Sequence, residues 1–315
     1  MRQRVSVVIP SFNHGKFVEV AVRSVFEQSR PPDQIIVVDD GSTDGSVEVL
    51  RSLERSGVKL VVQGNQGAHA ALNRGLELSG GDLLFVLNSD DRYDPLRIER
   101  IAARFEADSS VRFSGSWIRV IDGTGRSLGV KKAWANMHPW PCARPDRSFL
   151  ATSDARWNLL QGNYLATSSN FAFSRELWRS HGPFLPLRFA HDWDFALTAA
   201  LHSSPHVVEE PLLDYRIHDD NTIRKDPREM ELEVLWVLAR HLPAFAAEET
   251  RDDPGRAREF LERLAESVHT FDRDRLFLEV LALAAMGRAD PLSPFFHLLE
   301  SGSPLRRWLL DRLSS

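Results

Sequence analysis

The N-terminal third of the chain alternates between two patterns of apolar positions. Val5–Ile9 is a continuous apolar run rich in β-branched residues, which is typical of a strand buried on both faces. In Phe17–Gln28 the apolar residues recur at helical spacing, so this stretch predicts an amphipathic helix. Further strands are predicted at Ile35–Val38, Leu60–Val62 and Leu83–Leu87, and further helices after Asp44, over Gly67–Leu78 and from Pro95. This alternation predicts a parallel sheet with helices on both faces.

The pattern changes from about Val111. Val111–Ile121 and Ser127–Val130 flank an Asp-Gly-Thr-Gly turn and predict an antiparallel hairpin. Residues 133–165 are rich in Trp, Pro and Asn and are interpreted as a surface insertion that contains a weak helix. The α/β part then continues with a strand at Leu165–Phe173, a helix at Arg188–Leu201 and an extended segment at Val207–Ile217.

The C-terminal part of the chain lacks strand patterns. Beyond about Asp226 the apolar positions have helical spacing in Leu232–Leu242, Ala257–Val268, Leu276–Met286 and Pro304–Leu313. We therefore predict an α/β domain over residues 1–225, followed by an all-helical region over residues 226–315.

Polar residues follow several of the predicted strands, at the sheet edge where ligands of parallel α/β proteins bind. The segments are Pro10-Ser11-Phe12-Asn13, Asp39-Asp40-Gly41-Ser42 and Asn88-Ser89-Asp90-Asp91. An aromatic side chain such as Phe12 can stack on a base. Asp40 either accepts hydrogen bonds from a nucleoside or caps the turn that follows it, and its segment leaves both interpretations open.

Asp90 and Asp91 form a carboxylate pair that we expect beside the end of the first strand. Divalent cations such as Mg²⁺ and Mn²⁺ take oxygen ligands and often bind phosphates as well, so a metal here would bridge Asp90 and a diphosphate. Which of the two carboxylates touches a metal stays open. His218, after the last extended segment, could complete a metal or diphosphate site, although a lone histidine is more often a hydrogen-bonded surface residue.

The segment His191-Asp192-Trp193-Asp194 opens a predicted helix. Neighbouring side chains on a helix point about 100° apart, so only one of a pair of adjacent residues can face a given site. Asp192 is interpreted as a general base that removes a proton from an acceptor hydroxyl. The competing interpretation is a favourable contact between an acid and the helix N-terminus.

Taken in order, these segments resemble the family 2 glycosyltransferases, which have a GT-A fold. The resemblance rests on Val5–Asn13, Ile36–Asp44, Asn65-Gln66-Gly67, Leu72-Asn73-Arg74-Gly75, Gly81-Asp82, Leu87–Asp91 and His191–Asp194. It implies an α/β fold of GT-A type, with a Rossmann-like, mostly parallel sheet. The helical C-terminal region lies outside the resemblance.

The resemblance also implies roles for individual residues. The implied donor-binding residues are Pro10, Phe12, Asn13, Asp40, Asn73, Ser89 and Asp90, with Asp40 reading the base. Asp90 is the implied metal ligand, with Asp91 and His218 as further candidates. Asp192 is the implied general base, which means inversion at the anomeric carbon. This chain has Asn88 where the family motif has its first acid, so that position offers an oxygen without a charge.

Composition and charge exclude other classes. The 315-residue chain has a formal net charge of −5, so no basic excess indicates a nucleic-acid partner. Its single cysteine cannot form a disulfide within the chain, and no run approaches the roughly 20 apolar residues of a membrane span. We expect a cytoplasmic protein without a transmembrane segment. The amphipathic C-terminal helix leaves peripheral contact with the inner face of the membrane open.

These features predict a metal-dependent, hexosyltransferase-type enzyme that uses Mg²⁺ or Mn²⁺. The donor is a nucleotide sugar, with UDP or dTDP favoured, and the acceptor is the hydroxyl of a glycan, a lipid-linked molecule or another compound. Similar enzymes act in bacterial surface-polysaccharide or glycoconjugate synthesis. The alternative, favoured only by Asn88, is a catalytically weak nucleotide-sugar-binding protein whose helical region docks a partner. A dinucleotide-dependent oxidoreductase is set aside because no Gly-x-Gly-x-x-Gly follows the first strand.

Overall fold

The computed structural model describes residues 2–136, 152–219, 221, 226–251, 253, 255–268, 273–287, 294–300 and 302–313. The N-terminal part contains β1 (Val5–Ser11), α1 (Val18–Phe26), β2 (Gln34–Asp39), α2 (Ser46–Glu54), β3 (Val58–Val62), α3 (Ala68–Leu78) and β4 (Leu83–Val86). Then follow β5 (Arg92–Tyr93), α4 (Arg97–Ala107), β6 (Phe113–Asp122), β7 (Ser127–Lys131), α5 (Ala155–Gln161), β8 (Ala172–Ser174), α6 (Arg175–His181), α7 (His191–Ala200) and β9 (His206–Ile217). The C-terminal helices are α8 (Pro227–Thr250), α9 (Arg256–Ser267), α10 (Asp274–Gly287), α11 (Pro294–His297) and α12 (Pro304–Arg312).

The strands form one mixed sheet in the order β3-β2-β1-β4-β8-β6-β9-β5, with β7 paired to β6. The first four strands in this order are parallel, as the alternation of strands and helices predicts. The short strand β8 runs antiparallel to both β4 and β6, while β6 and β9 are parallel. The predicted GT-A type of α/β fold is confirmed, and its C-terminal half is mixed rather than parallel.

The central strand β1 is buried on both faces. Val7 and Ile9 belong to a hydrophobic cluster that includes residues of α1, α2 and α4. Val8 points the other way, into a cluster with Leu72 and Leu76 of α3. Gly75 makes this second contact close, because a Cβ atom at this position would lie 2.3 Å from a Val8 methyl carbon.

Two predictions for the middle of the chain were wrong. Residues 152–165 are not a surface insertion, since Trp157 and Tyr164 are buried in the core together with other apolar side chains of this segment. The predicted strand Leu165–Phe173 contains a 3-10 helical turn, and only Ala172–Ser174 is a strand. The turn forms because the Thr167 hydroxyl accepts a hydrogen bond from the backbone N–H of Ser169. The rest of the predicted insertion, residues 137–151, lies outside the described residues.

The helical region shares a core with the α/β part. One hydrophobic cluster contains residues of α3, α5 and α7 as well as of α8, α10 and α12. Within it, Trp236 of α8 stacks on Phe295 with ring centroids 4.6 Å apart, and its indole N–H donates to the Phe295 carbonyl at 2.8 Å. The division at residue 225 stays a prediction. Over the described part of the chain, no helix is both long and apolar enough for a membrane span.

Candidate active site

The carboxyl ends of β1, β2 and β4 meet at one edge of the sheet, because β1 pairs in parallel with both neighbours. Hydrogen bonds hold the first two loops together. The backbone N–H of Asn13 donates to the Ser42 hydroxyl at 2.8 Å, and the Asn13 side-chain oxygen accepts from the backbone N–H of Thr43 at 2.8 Å. Asn13 has φ 53, a left-handed conformation that asparagine tolerates better than most residues.

Three ligand-type side chains converge at this edge: His14 after β1, Asp90 after β4 and His218 after β9. The Nε2 atoms of His218 and His14 lie 3.1 Å and 3.8 Å from the same oxygen, Oδ2 of Asp90. One ligand atom from each residue lies within 4.8 Å of the others. The side chains of His14, Asp90 and His218 keep 22%, 13% and 9% of their surface exposed, so the cluster is sheltered but open to solvent.

Buried neighbours orient this cluster. The Ser89 hydroxyl, which is almost fully buried, lies 2.8 Å from Nδ1 of His14. Arg216 donates from Nε to the backbone carbonyl of Asp90 at 2.9 Å, and its guanidinium lies 4.9 Å from the ring centre of Phe17. Phe17 in turn contacts His218 with ring centroids 5.1 Å apart. The predicted site residues Ser89, Asp90 and His218 are therefore brought together.

Asp91 lies next to this cluster but faces away from it. Its carboxylate oxygens accept from the backbone N–H of Arg216 at 2.9 Å and from the hydroxyl of Ser169 at 2.5 Å. Burial and the neighbouring charge of Asp90 raise the pKa of Asp91 well above its usual range. For Asp90, burial also acts to raise the pKa, but the hydrogen bond from His218 and the charges of both histidines outweigh it and lower the pKa. The pair therefore favours one charge, on Asp90.

Asn88 occupies the position where the family motif has its first acid. Its side-chain nitrogen donates to the Thr167 hydroxyl at 3.1 Å, and its side-chain oxygen accepts from the Ser168 hydroxyl at 3.0 Å. Its backbone N–H donates to the Ser169 hydroxyl at 2.8 Å. Asn88 therefore anchors the segment that follows Tyr164 and adds no charge to the histidine–aspartate cluster.

The residues predicted to bind the donor differ in how exposed they are. Pro10 is buried within β1, whereas Phe12 is 41% exposed at the sheet edge. Asp40 is buried, and its carboxylate accepts from the Gln63 side chain at 2.8 Å and from the backbone N–H of Gly67 at 2.8 Å. Asp40 therefore does not cap the turn that follows it; that turn is capped by Asp39, whose carboxylate accepts from the backbone N–H and the hydroxyl of Ser42. The part that Asp40 plays towards a base stays a prediction.

Asn73 makes a long-range contact between α3 and the loop before α7. Its side-chain nitrogen donates to the carbonyl of Phe184 at 2.8 Å, and its oxygen accepts from the N–H of Phe184 at 2.9 Å. Phe184 then packs against the ring of His191, with centroids 6.2 Å apart. Both hydrogen-bonding ends of Asn73 are thus used within the protein, and its predicted contact with a donor stays untested.

The two acids at the start of α7 point in different directions, as helix geometry predicts. Burial raises the pKa of Asp192 to about 7, although hydrogen bonds from the Trp193 backbone and the Asn163 side chain oppose this shift. Asp194 instead faces α8, where it pairs with Arg240 and with Nε2 of His241, the latter at 2.9 Å. Asp194 is therefore a link to the helical region, and only Asp192 remains a candidate for chemistry.

Glu233 of α8 holds the loop that leads into α7. Its buried carboxylate accepts hydrogen bonds from the backbone N–H groups of Arg188, Phe189 and Ala190, at 2.9, 2.7 and 3.1 Å. Arg306 of α12 lies 3.7 Å from the same carboxylate. No local sequence pattern predicts this contact, because Glu233 lies within a helical segment more than 40 residues away along the chain from the loop that it binds.

The cluster of His14, Asp90 and His218 fits a divalent metal by the chemistry of its donors. Imidazole nitrogen and carboxylate oxygen both bind transition-metal ions in proteins, and one such atom from each residue lies within 4.8 Å of the others. His14 was missed at the level of sequence. The signal was its position directly after Asn13, beyond the carboxyl end of a parallel strand.

Comparison with known proteins agrees with this fold. The sequence model of the family described as Glycosyl transferase family 2 matches residues 6–180, which is more than half of the chain. The chain belongs to glycosyltransferase family 2. An uncharacterized glycosyltransferase of Nostoc sp. is 27% identical over 225 residues, 69% of this chain and 66% of that protein. The putative teichuronic acid biosynthesis glycosyltransferase TuaG of Bacillus subtilis is 35% identical over 124 residues, 38% of this chain and 49% of that protein.

Two solved structures share the fold of this family 2 member. S. aureus TarS 1-349 in complex with UDP-GlcNAc superposes with a TM-score of 0.62 at 16% identity, over 98% of this chain and 88% of that one. The mannosyltransferase PcManGT from Pyrobaculum calidifontis, in complex with GDP-Man and Mn²⁺, superposes with a TM-score of 0.55 at 21% identity, over 100% and 86% of the two chains. The chain spans 49% to 66% of the length of the two sequence relatives above.

Proposed function

We propose that this chain is an inverting, metal-assisted glycosyltransferase that moves a sugar from a nucleoside-diphosphate sugar to an acceptor hydroxyl. The observation that carries the proposal is a sheltered histidine–aspartate–histidine cluster at the carboxyl edge of a family 2 sheet. A buried carboxyl with a pKa of about 7, Asp192, lies at the start of α7. One chain segment contacts both neighbourhoods, since Asn163 hydrogen-bonds Asp192 and Thr167 hydrogen-bonds Asn88, two residues before Asp90.

Each group has a defined task in this reaction. Asp90 and His218 would hold the divalent metal, which neutralises charge on the leaving diphosphate when it is bound. The Asp192 carboxylate takes the proton of the acceptor hydroxyl, and the oxygen attacks the anomeric carbon from the face opposite the diphosphate. The bond from that carbon to the diphosphate oxygen breaks, and its electron pair leaves with the nucleoside diphosphate. A pKa near 7 suits a general base at neutral pH.

We propose a UDP- or dTDP-sugar as donor and a glycan or lipid-linked acceptor in bacterial surface-polysaccharide or glycoconjugate synthesis. TuaG, named for teichuronic acid biosynthesis, and TarS, solved with UDP-GlcNAc, support this setting by similarity. A role of the helical region as a separate docking module is less well supported, because Glu233 and the partners of Asp194 commit α8 to the loop and helix that carry Asp192.

Calorimetric titration of UDP, dTDP and GDP, each with and without Mn²⁺, tests the donor site. We expect one nucleotide to bind the wild type tightly only when metal is present. Asp90→Ala should lose this metal-dependent binding. The control is Asp82→Ala, because Asp82 is an exposed acid at the opposite end of β4. Absence of nucleotide binding under every condition, or equal loss in both variants, would refute the proposed donor site.

A further inference from the structure

We propose that His14 is a third metal ligand beside Asp90 and His218, and that this nitrogen-rich site selects Co²⁺ over Mg²⁺. The inference rests on the proposed function, since it concerns the metal of the same site. It goes beyond that function because the family resemblance implied acids and His218 at this position, and His14 was not among the implied ligands.

The distances support a three-residue site. A metal bound at about 2.1 Å from each ligand atom requires the ligand atoms to lie roughly 3.0–3.5 Å apart. Nε2 of His218 is 3.1 Å from Oδ2 of Asp90, so this pair needs no movement. Nε2 of His14 is 3.8 Å from the same oxygen, and all three ligand atoms lie within 4.8 Å of one another, so an inward movement of the His14 ring would complete the set. The rings of His14 and His218 meet edge to face at 88°, with centroids 5.6 Å apart.

The surroundings of His14 are those of a ligand. A metal-binding histidine usually engages its second ring nitrogen with a hydrogen-bond partner, which orients the ring and selects the tautomer. The buried Ser89 hydroxyl does this for Nδ1 of His14 at 2.8 Å and leaves Nε2 to face Asp90. The backbone of His14 is also held, because its N–H donates to the Ser46 hydroxyl and its carbonyl accepts from the N–H of Val18 at the start of α1.

The charge of the site decides the preferred metal. Asn88 is neutral and is hydrogen-bonded to the 3-10 turn, while Asp91 is held by Ser169 and Arg216, so Asp90 alone supplies a carboxylate to the cluster. Mg²⁺ prefers octahedral oxygen ligands, whereas imidazole suits the later first-row transition-metal ions. Two imidazoles and one carboxylate therefore favour Co²⁺ over Mg²⁺.

The experiment is direct metal binding to the full chain without nucleotide. Co²⁺ binding is followed by visible absorption and Mn²⁺ binding by electron paramagnetic resonance. We expect His14→Ala to weaken both ions at least about tenfold, and Ser89→Ala to weaken them about tenfold through the hydrogen bond that it removes. A hundredfold excess of Mg²⁺ should leave most of the Co²⁺ bound. The control is His202→Ala, since this ring stacks on His181 outside the cluster.

A gain-of-preference variant keeps the test informative if His14→Ala folds poorly. His14→Asp restores a ligand but replaces nitrogen by charged oxygen, so we expect Mg²⁺ to compete with Co²⁺ at least tenfold better than in the wild type. Unchanged Co²⁺ affinity in His14→Ala, or equal competition by Mg²⁺ in the wild type, would overturn the inference. Metal-dependent nucleotide binding that needs Asp90 would then still support the proposed function. Conversely, a wild type that binds Co²⁺ but no nucleotide would refute the proposed function and leave the inference about His14 standing.

Discussion

Replacing Asp192 with asparagine should raise the stability of the protein while it removes transferase activity. The reason is the buried position of the carboxyl, which raises its pKa from the ordinary 3.8 to about 7. The folded state therefore holds the Asp192 proton to higher pH than the unfolded state does. As the pH rises from about 4 to 7, the unfolded chain ionises first, so this carboxyl costs progressively more stability, and above pH 7 the cost stays constant.

The size of the effect follows from the shift. Each pKa unit corresponds to 1.36 kcal/mol, so a shift of about three units makes the ionised carboxyl cost about 4 kcal/mol at pH 8. The cost falls below about 2 kcal/mol at pH 5 and vanishes near pH 3. An asparagine has no charge to bury, and Asp192→Asn should therefore unfold at a temperature several degrees higher at pH 8, with a smaller gain at pH 5.

Urea unfolding measured at pH 8, 5 and 3 gives the stabilities, and initial transfer rates give the activity. Loss of the general base should lower kcat/KM by about 10²–10⁴-fold, and the wild-type kcat/KM should rise with pH with a midpoint near 7. Asp194→Asn is the matched control on the same helix. It removes the carboxylate that pairs with Arg240 and His241, so it should destabilise by roughly 3 kcal/mol.

Two results would refute this reasoning. If Asp192→Asn were less stable than the wild type at pH 8, the carboxyl would not be held in an unfavourable environment. If the variant kept wild-type kcat/KM with a profile that still bends near pH 7, another group would be the base.

Other changes test the surroundings of the site. Glu233→Gln removes a negative charge that raises the pKa of Asp192, so the pH profile of kcat/KM should move to lower pH by less than about one unit. The control Glu262→Gln, at an exposed position, should leave the pH profile unchanged. Burial lowers the pKa of Lys131 to about 7, so the folded state releases the Lys131 proton at lower pH than the unfolded state does. In urea unfolding, the stability of the wild type relative to Lys131→Met should therefore rise by about 1.4 kcal/mol per pH unit between pH 7.5 and 9.5. Gly75→Ala would place a carbon 2.3 Å from Val8 and should cost about 1–3 kcal/mol, whereas Gly123→Ala has open space and should be nearly neutral in thermal melts. A pH profile, a slope or a melting temperature that stays unchanged in these variants would contradict the corresponding contact.

The helical region contributes to the site through buried polar contacts rather than through a separable surface. Arg306 of α12, Glu233 of α8 and the loop before α7 form one connected set, and Asp194 makes a second connection from α7 to α8. Both connections lie against the shared hydrophobic cluster. Substitutions in α12 are therefore expected to alter the positions of the residues around Asp192, although α12 lies far from them along the chain.

The sequence by itself determined the parallel strands β1 to β4, the helices between them, and the edge of the sheet where the polar residues lie. The period of the apolar residues and the turn residues after each strand are encoded within a few positions, so β1 to β4 and the placement of Asp90 and His218 could be predicted. The family resemblance assigned Asp192, and helix geometry alone separated its direction from that of Asp194.

Only the tertiary structure decided which of these side chains are available to a ligand. His14 joins Asp90, while Asp91, Asp40 and Asn73 are bound by residues far away in the chain. The same applies to residues 152–165, whose aromatic side chains are buried by helices that come much later in the chain. A hydrogen-bond partner or a covering helix at long range leaves no mark on the local pattern, so local rules could place these groups near the site but could not say what occupies them.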